Sequence, residues 1–546
     1  MRPSGIDPRN VLQVAPSPRD RGWDAPGRPR TALLPLLMGV LALGMVLTGC
    51  AEAPGSETDT WHASPIEETR PLFTEHFPPE EFAERRDRVY DAIGSDAIAV
   101  IQGAPTPMGF VAFRQSNEFY HLTGIESPHA YLILDGADRE ATLYLANRKE
   151  GREYGEGKVL SAEDADLVQE LAGISRVRSI DDLRSDLQAR GGAAAVYAPF
   201  APPELRATTR NMANRTLGDI AEDPMDDREP RHERFLALLR SDLGVSELQD
   251  LNPILDEIRM IKSERELQMI RASSRLHGLA IMEAMRATEP GVTEYDIEAV
   301  ARYVFWRHGA MGSAYYALSH VASNAHMNHY HAGVREALDG DMILLDYGAD
   351  YHYYVSDMGR MWPANGRFND VQRELYGFYL AFYEAILHRI RPGVSAQQVK
   401  LEALEEIDDI LASWEFSRDS YEAAARDFVE AYRRGAQNPD TRLGHGVGMA
   451  AHDPFPYEGE LLPGMVFVIE PQFRVSDEMI YIRLEDTIIL TEDGAEIVTD
   501  FVPRDMESIE RLVQQRGILQ DYQRLMSEDG EFLDAADRLL SAARGN

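Results

Sequence analysis

Cysteine occurs once in 546 residues, at Cys50, so no intramolecular disulfide can form even in an oxidising compartment. Lysine is nearly as scarce: four of the 55 basic residues are Lys, and the rest are Arg. Basic residues as a whole are outnumbered by 91 acids, for a formal charge of -36. That balance excludes a binder of nucleic-acid backbones, which needs a basic footprint. A polytopic membrane protein and a disordered chain are excluded as well, since 44% of residues are apolar and 27% charged. What remains is a large globular protein of more than one domain with an acidic, solvated surface.

One long apolar run is present, Thr31 to Gly49, preceded by Arg28 and Arg30. It closes on Leu47-Thr48-Gly49-Cys50. A basic segment, an apolar core and small residues at the end form a secretory signal. The last four residues resemble a bacterial lipobox, in which Cys50 is lipidated and becomes the mature N-terminus. The alternative is an uncleaved signal anchor, because nineteen mostly apolar residues can span ~30 Å of hydrocarbon. The expected location is the bacterial cell envelope, exported and lipid-anchored. Residues 1–49 are assigned to the signal and 50–71 to a tether. Loss of 1–49 removes six Arg and three Asp, leaving a charge of -39.

From 72 to 250 helical and strand patterns alternate, as expected of an α/β domain. Phe82 to Ile93 reads as a helix and Ala97 to Ile101 as a buried strand. Ala130–Leu134 and Ala141–Leu145 flank Asp135-Gly136 and read as paired strands. Residues 211–231 are polar and read as an exposed insertion. A second domain is expected over 251–505. It opens on a long helical pattern from Ile254 to about Ala287, stopped by Pro290-Gly291. Residues 506–546 read as a helical tail.

The chemistry concentrates after residue 340. Ile343-Leu344-Leu345 leads into Asp346, and Asp357 follows eleven residues later. On one continuous strand these acids would face opposite ways. A hairpin centred between Tyr351 and His352 would set them directly opposite each other, with Cβ atoms ~5 Å apart. Two buried aspartates at that distance are unfavourable as structure and favourable as a metal clamp. His445 lies in Gly444-His445-Gly446-Val447-Gly448, Glu470 closes the apolar run Met465–Ile469, and Glu485 follows Tyr481-Ile482-Arg483-Leu484. Four carboxylates and an imidazole suit two hard or borderline divalent ions.

At these residues the chain resembles the pita-bread, M24-type metallopeptidases, in the proline-peptidase branch that holds Xaa-Pro aminopeptidase (aminopeptidase P) and prolidase. The order Asp346, Asp357, His445, Glu470, Glu485 is similar to that family's ligand set. Arg114-Gln115-Ser116-Asn117-Glu118-Phe119-Tyr120 and Arg259-Met260-Ile261-Lys262-Ser263-Glu264 resemble the branch's N-terminal domain and domain junction. The implied fold is a creatinase/aminopeptidase P-like α/β domain followed by a pita-bread α+β catalytic domain. The implied metals are two ions, manganese by expectation, with cobalt or zinc as alternatives. Asp346 would chelate one ion, Asp357 and Glu485 would bridge both, and His445 and Glu470 would complete the second.

The resemblance also implies that Glu470 acts as general base on water held between the ions. His452 would stabilise the oxyanion, His329 would contact substrate and assist the leaving group, and Arg483 would orient acids or substrate. His326 and His331, near His329, read as loop residues. The implied substrates are peptides with proline in second position. The implied assembly is a homodimer or homotetramer. Tyr330, Tyr353 and Tyr354 are candidates for an apolar proline pocket, although strand packing explains them better. The sequence departs from the family at Thr441, where a histidine is common, and at Gln472, where glycine is common. No Lys or Arg lies between His452 and Glu470 to hold the free carboxylate of an Xaa-Pro dipeptide, which favours aminopeptidase over prolidase unless Arg474 substitutes. A metal-free, creatinase-like or purely binding protein on the same fold is the third reading.

Overall fold

A computed structural model describes residues 76–190, 195–244, 247–455 and 459–521. The signal, Cys50, the tether and the last 25 residues of the tail lie outside the described residues. No helix among the described residues is long and apolar enough to cross a membrane.

The first layer is a six-stranded sheet. Its strands are β1 (Ala97–Gln102), β2 (Tyr131–Asp135), β3 (Glu140–Leu145), β4 (Arg176–Ser179), β5 (Ala195–Ala198) and β6 (Gln249–Asp250), in the order β4-β3-β2-β1-β5-β6. β2 and β3 are antiparallel across the Asp135-Gly136 turn, as the flanking apolar runs require. β1 is buried on both faces from Ala97 to Ile101, so that stretch is a continuous apolar run rather than alternating. The helix Pro79–Ile93 covers one face with Val89, Tyr90 and Ile93.

The helical pattern expected to run unbroken from Ile254 to Ala287 is two helices, Asn252–Met260 and Glu264–Arg286. The break has a local cause. Ile261 is extended, the Lys262 amide donates to the Gly464 carbonyl, and Ser263 with Glu266 forms a capping box that starts a new helix. The first helix remains with the N-terminal layer, where Leu251, Leu255 and Ile258 join its core. Residues 211–231, expected as an exposed insertion, contain the helix Arg210–Ala221. Its polar face had hidden it from the apolar periodicity.

The second part carries short strands wrapped by long helices. β7 (Gly312–Ser313), β10 (Ala349–Tyr351) and β11 (Tyr354–Val355) form one sheet. β8 (Leu318–Val321), β9 (Met342–Tyr347) and β12 (Met358–Pro363) form the next. β13 (Val466–Ile469), β16 (Asp486–Thr491) and β17 (Gly494–Ile497) form a third, and β14 (Phe473–Val475) pairs with β15 (Ile480–Ile482). The helices 264–286, 294–307, 370–387, 396–413 and 419–436 pack around them on one large core that includes Trp362, Phe378, Phe382 and Phe467. Architecture and residue content are those of an α/β domain followed by an α+β catalytic domain.

The register of the central hairpin differs from the expected one. Asp346 opposes Gly359, not Asp357, and the turn is centred between His352 and Tyr353. Both turn residues are left-handed, with φ of 49° and 74°, which matches the twist that a two-residue hairpin loop requires. The side chain of Tyr353 accounts for this strained choice. It docks into the N-terminal layer, stacked 3.5 Å from the Tyr120 ring and under the Arg114 guanidinium. Its hydroxyl donates to Glu126 Oε2 at 3.0 Å and accepts from the Gln115 amide at 2.8 Å. Because the shift moves each partner by two residues, Asp346 and Asp357 still share a face.

Candidate active site

Asp346 is the next-to-last residue of β9, and Asp357 immediately precedes β12 on the returning arm. Glu485 reaches the same place from the segment before β16, through an isolated bridge to Gly359. Gly359 therefore sits in backbone register between Asp346 and Glu485. A Cβ there would lie 3.3 Å from the Glu485 Cβ and 3.7 Å from the Asp346 Cβ, so a larger residue would wedge the acids apart. Glu470 follows β13. His445 is laid against β13 by the Val468 amide, which donates to its carbonyl at 3.0 Å. That approach demands Gly444, whose hypothetical Cβ would meet the Val468 oxygen at 1.8 Å.

All five residues line one cavity of about 160 Å³, together with His329, His452 and Arg483. One ligand atom each from Asp357, His445 and Glu485 falls within 4.8 Å of the other two. His445 Nε2 lies 3.8 Å from Asp357, 3.6 Å from Glu470 and 3.9 Å from Glu485. Asp346 and Glu470 are drawn onto Arg483, which pairs with Asp346 through Nη2 and donates from Nη1 to Glu470 Oε2 at 2.8 Å. Arg483 thus orients two of the acids, and the expected link to substrate is not needed to explain its place.

The electrostatics demand cations. Burial, then Asp346, push the Asp357 carboxyl well above the usual range. Burial, then Asp357 and Glu470, do the same to Glu485. Glu485 Oε2 is buried without a hydrogen-bond partner. Burial alone would lower Arg483, but Asp346, Glu485 and Glu470 raise it well above the ordinary value. One guanidinium cannot balance four carboxylates, and an oxygen-rich set with one imidazole fits divalent metal ions. The residues present therefore fit a divalent metal centre.

Of the histidines, His452 packs on His445 with ring centroids 4.0 Å apart. Desolvation, then His445 and His329, push its imidazole down to about 3. His326 is turned away to the Ile480 carbonyl, and His331 packs on Tyr316, which leaves His329 as the cavity histidine of that loop. Tyr353 and Tyr354 are buried in the contact with the N-terminal layer, and Tyr330 is not on the cavity wall either. The apolar walls come instead from Tyr315, Tyr316, Leu318, Ala207, Met212 and Ala451. Thr441 accepts from Lys400 and takes no part in the cavity. Gln472 does line it, with its carbonyl oxygen accepting from Asn328 and Arg474.

Two contributors escaped the sequence reading. Tyr315 donates its hydroxyl toward both Asp346 and Asp357, but it precedes them by 31 and 42 residues, in a stretch without a recognisable pattern. Asn211 reaches His452 from the N-terminal layer, from a helix the sequence had disguised as a loop.

Residues 268–492 match metallopeptidase family M24, and residues 82–197 match the aminopeptidase P N-terminal domain. The chain is a metallopeptidase of family M24, a metal-dependent hydrolase. Its added N-terminal domain places it in the aminopeptidase P and prolidase group of that family. The Xaa-Pro aminopeptidase of Haemophilus influenzae is 28% identical over 454 residues, which is 80% of this chain and 97% of that protein. The Xaa-Pro dipeptidase of Homo sapiens is 25% identical over 481 residues, covering 78% and 90%. The structure of aminopeptidase P from E. coli with the inhibitor Pro-Leu superposes with a TM-score of 0.64 at 26% identity, covering 80% of this chain and 98% of that one.

Proposed function

We propose that this enzyme releases the first residue from peptides of three or more residues with proline second, and that its ions are manganese. The observation that carries this reading is the cavity itself. A pocket with an acidic floor has apolar tyrosine and leucine walls, and Arg483 is the sole Lys or Arg among the described residues that line it. That arginine is consumed by Asp346 and Glu470. Arg474, the other candidate for gripping a dipeptide carboxylate, donates to Asn328 and Gln472 and lies over the Tyr481 ring. A longer peptide asks for no such grip.

Ions held by Asp346, Asp357, His445, Glu470 and Glu485 would supply Lewis acidity and lower the pKa of a water held among them. Glu470, steadied by Arg483, accepts that water's proton and later passes it to the departing proline nitrogen. The nitrogen carries no hydrogen in the substrate, so the proton is what lets it leave as a secondary amine. His452 donates to the carbonyl oxygen as negative charge develops there. His329, on the cavity wall, would contact the substrate and assist the leaving group. Tyr315, Tyr316 and Leu318 offer the apolar surface for the proline ring.

We further propose export, with lipid attachment at Cys50 to the cell envelope, supported by the ending Leu47-Thr48-Gly49-Cys50. A dimer or tetramer is the expected assembly.

The test compares manganese-dependent cleavage of Xaa-Pro dipeptides and Xaa-Pro-Yaa tripeptides. Faster turnover of tripeptides by tenfold or more supports the proposal. A preference for dipeptides makes the enzyme a prolidase, and no cleavage of either by metal-loaded protein rejects both.

A further inference from the structure

We infer that Asn211, a residue of the N-terminal layer, sets the tautomer of His452 and makes Nε2 its hydrogen-bearing nitrogen. Asn211 lies in the first turn of the helix Arg210–Ala221, just after its N-cap Thr209. Its Nδ2 is 3.0 Å from His452 Nδ1.

The orientation of the Asn211 amide decides what that contact means. Its Oδ1 accepts from the Met212 backbone amide at 3.0 Å and is bonded by the Thr209 hydroxyl. Flipping the amide would face its NH2 with the Met212 N–H, which can only donate. The NH2 therefore points to His452, and Nδ1 must accept. A neutral imidazole that accepts at Nδ1 carries its hydrogen at Nε2. An imidazolium is excluded in this arrangement, because its Nδ1–H would meet a second donor.

The consequence reaches the chemistry, and here the inference rests on the proposed function above. With Nδ1 occupied, Nε2–H is the group His452 has left for the substrate carbonyl oxygen. The hydrogen stays on Nε2; it is donated, not transferred. Asn211 is thus a positioning residue supplied by one domain to a site built by the other. Thr209 and Met212 also line the cavity, so the same turn that aims the amide walls the substrate.

The test reads the tautomer directly. Full-length enzyme loaded with zinc, which is diamagnetic, is labelled with 15N-histidine, and His452 is assigned by the signal missing from H452Q. Proton–nitrogen correlations should show His452 protonated at Nε2 in the wild type. Asn211→Asp, which can only accept, should move the hydrogen to Nδ1 or protonate both nitrogens. With Xaa-Pro-Yaa substrates, both Asn211→Asp and Asn211→Ala should lower kcat by ~10²-fold with KM changed less than threefold, the size of losing one oxyanion donor. A wild-type His452 protonated at Nδ1, or an Asn211→Asp enzyme with unaltered tautomer and kcat, overturns the inference. Wild-type enzyme that cleaves no Xaa-Pro peptide rejects the functional reading instead, and the nitrogen spectrum still decides the tautomer.

Discussion

Tyr315 Oη lies 2.7 Å from Asp346 Oδ1 and 2.5 Å from Asp357 Oδ1, so one half-buried phenol spans two carboxylates from opposite arms of the hairpin. Burial, then the charges of those two aspartates, hold the hydroxyl well above its ordinary pKa, so it remains a donor. Groups behind ligands orient them, and their loss weakens metal affinity by ~10–100-fold. Tyr315→Phe is therefore expected to bind manganese at least ~10-fold more weakly in titration calorimetry, with its fold unchanged by circular dichroism. Equal affinity would show that the acids need no such tether.

Glu470 is the one acid of the set that is part exposed, paired through Oε2 with Arg483. Glu470→Gln keeps the shape and removes the base. Turnover should fall by ~10²–10⁴-fold, the usual worth of a placed general base, while thermal unfolding stays close to wild type. Activity within tenfold of wild type would remove Glu470 from the base role.

Asp453, the neighbour of His452, accepts from Arg259 Nη2 at 2.5 Å and Lys262 Nζ at 3.0 Å, and Arg259 also pairs with Glu204 at 2.7 Å. These groups are all buried, and they bind the N-terminal layer and domain junction to the catalytic loop. Asp453→Asn leaves two buried cations short of an anion. The expected loss is about 3–5 kcal/mol in urea unfolding. A loss below about 1 kcal/mol would mean the remaining acids suffice.

Burial pushes the Glu126 carboxyl up to about 7, against the pull of the Tyr353 hydroxyl and Arg114. The folded state thus holds this proton at pH values where the unfolded chain, near the ordinary ~4.3, has lost it. Fewer protons on the unfolded chain mean that stability falls as pH rises from about 4.5 through 7. Glu126→Gln cannot ionise. Between pH 5 and pH 8 the wild type should lose roughly 2–3 kcal/mol relative to this variant in denaturant unfolding. Glu118 is raised in the same way and contributes equally to both proteins. Parallel pH profiles would show that Glu126 is charged when folded.

Cys50→Ser removes the one thiol available for lipidation. The variant is expected in the soluble fraction after cell fractionation, with the parent in the membrane fraction. Persistent membrane attachment would assign residues 31–49 to a signal anchor.

Three of the four acids of the site were legible because each follows directly on an apolar residue at the end of a strand-like run: Leu345 before Asp346, Ile469 before Glu470, Leu484 before Glu485. A charge at the end of a buried strand must have a partner, and a sequence states that much locally. The glycines beside His445 were legible for the same reason, since close backbone approach excludes a side chain. The hairpin register was not. It depends on Tyr353 reaching Tyr120, Arg114 and Glu126, more than two hundred residues earlier in the chain. The helix Arg210–Ala221 was missed because it buries little, with Ala213 its sole buried residue, so its apolar period is faint.

The sequence by itself determined which groups can do chemistry, since residue type and the polarity of neighbours settle what a side chain can ligate, accept or donate. Only the tertiary structure decided how they are held: Arg483 against Asp346 and Glu470, Tyr315 across two aspartates, Asn211 on His452. Those contacts join residues on different elements, and the last of them joins different layers, so their geometry follows from how strands and layers pack, which no local run of residues encodes.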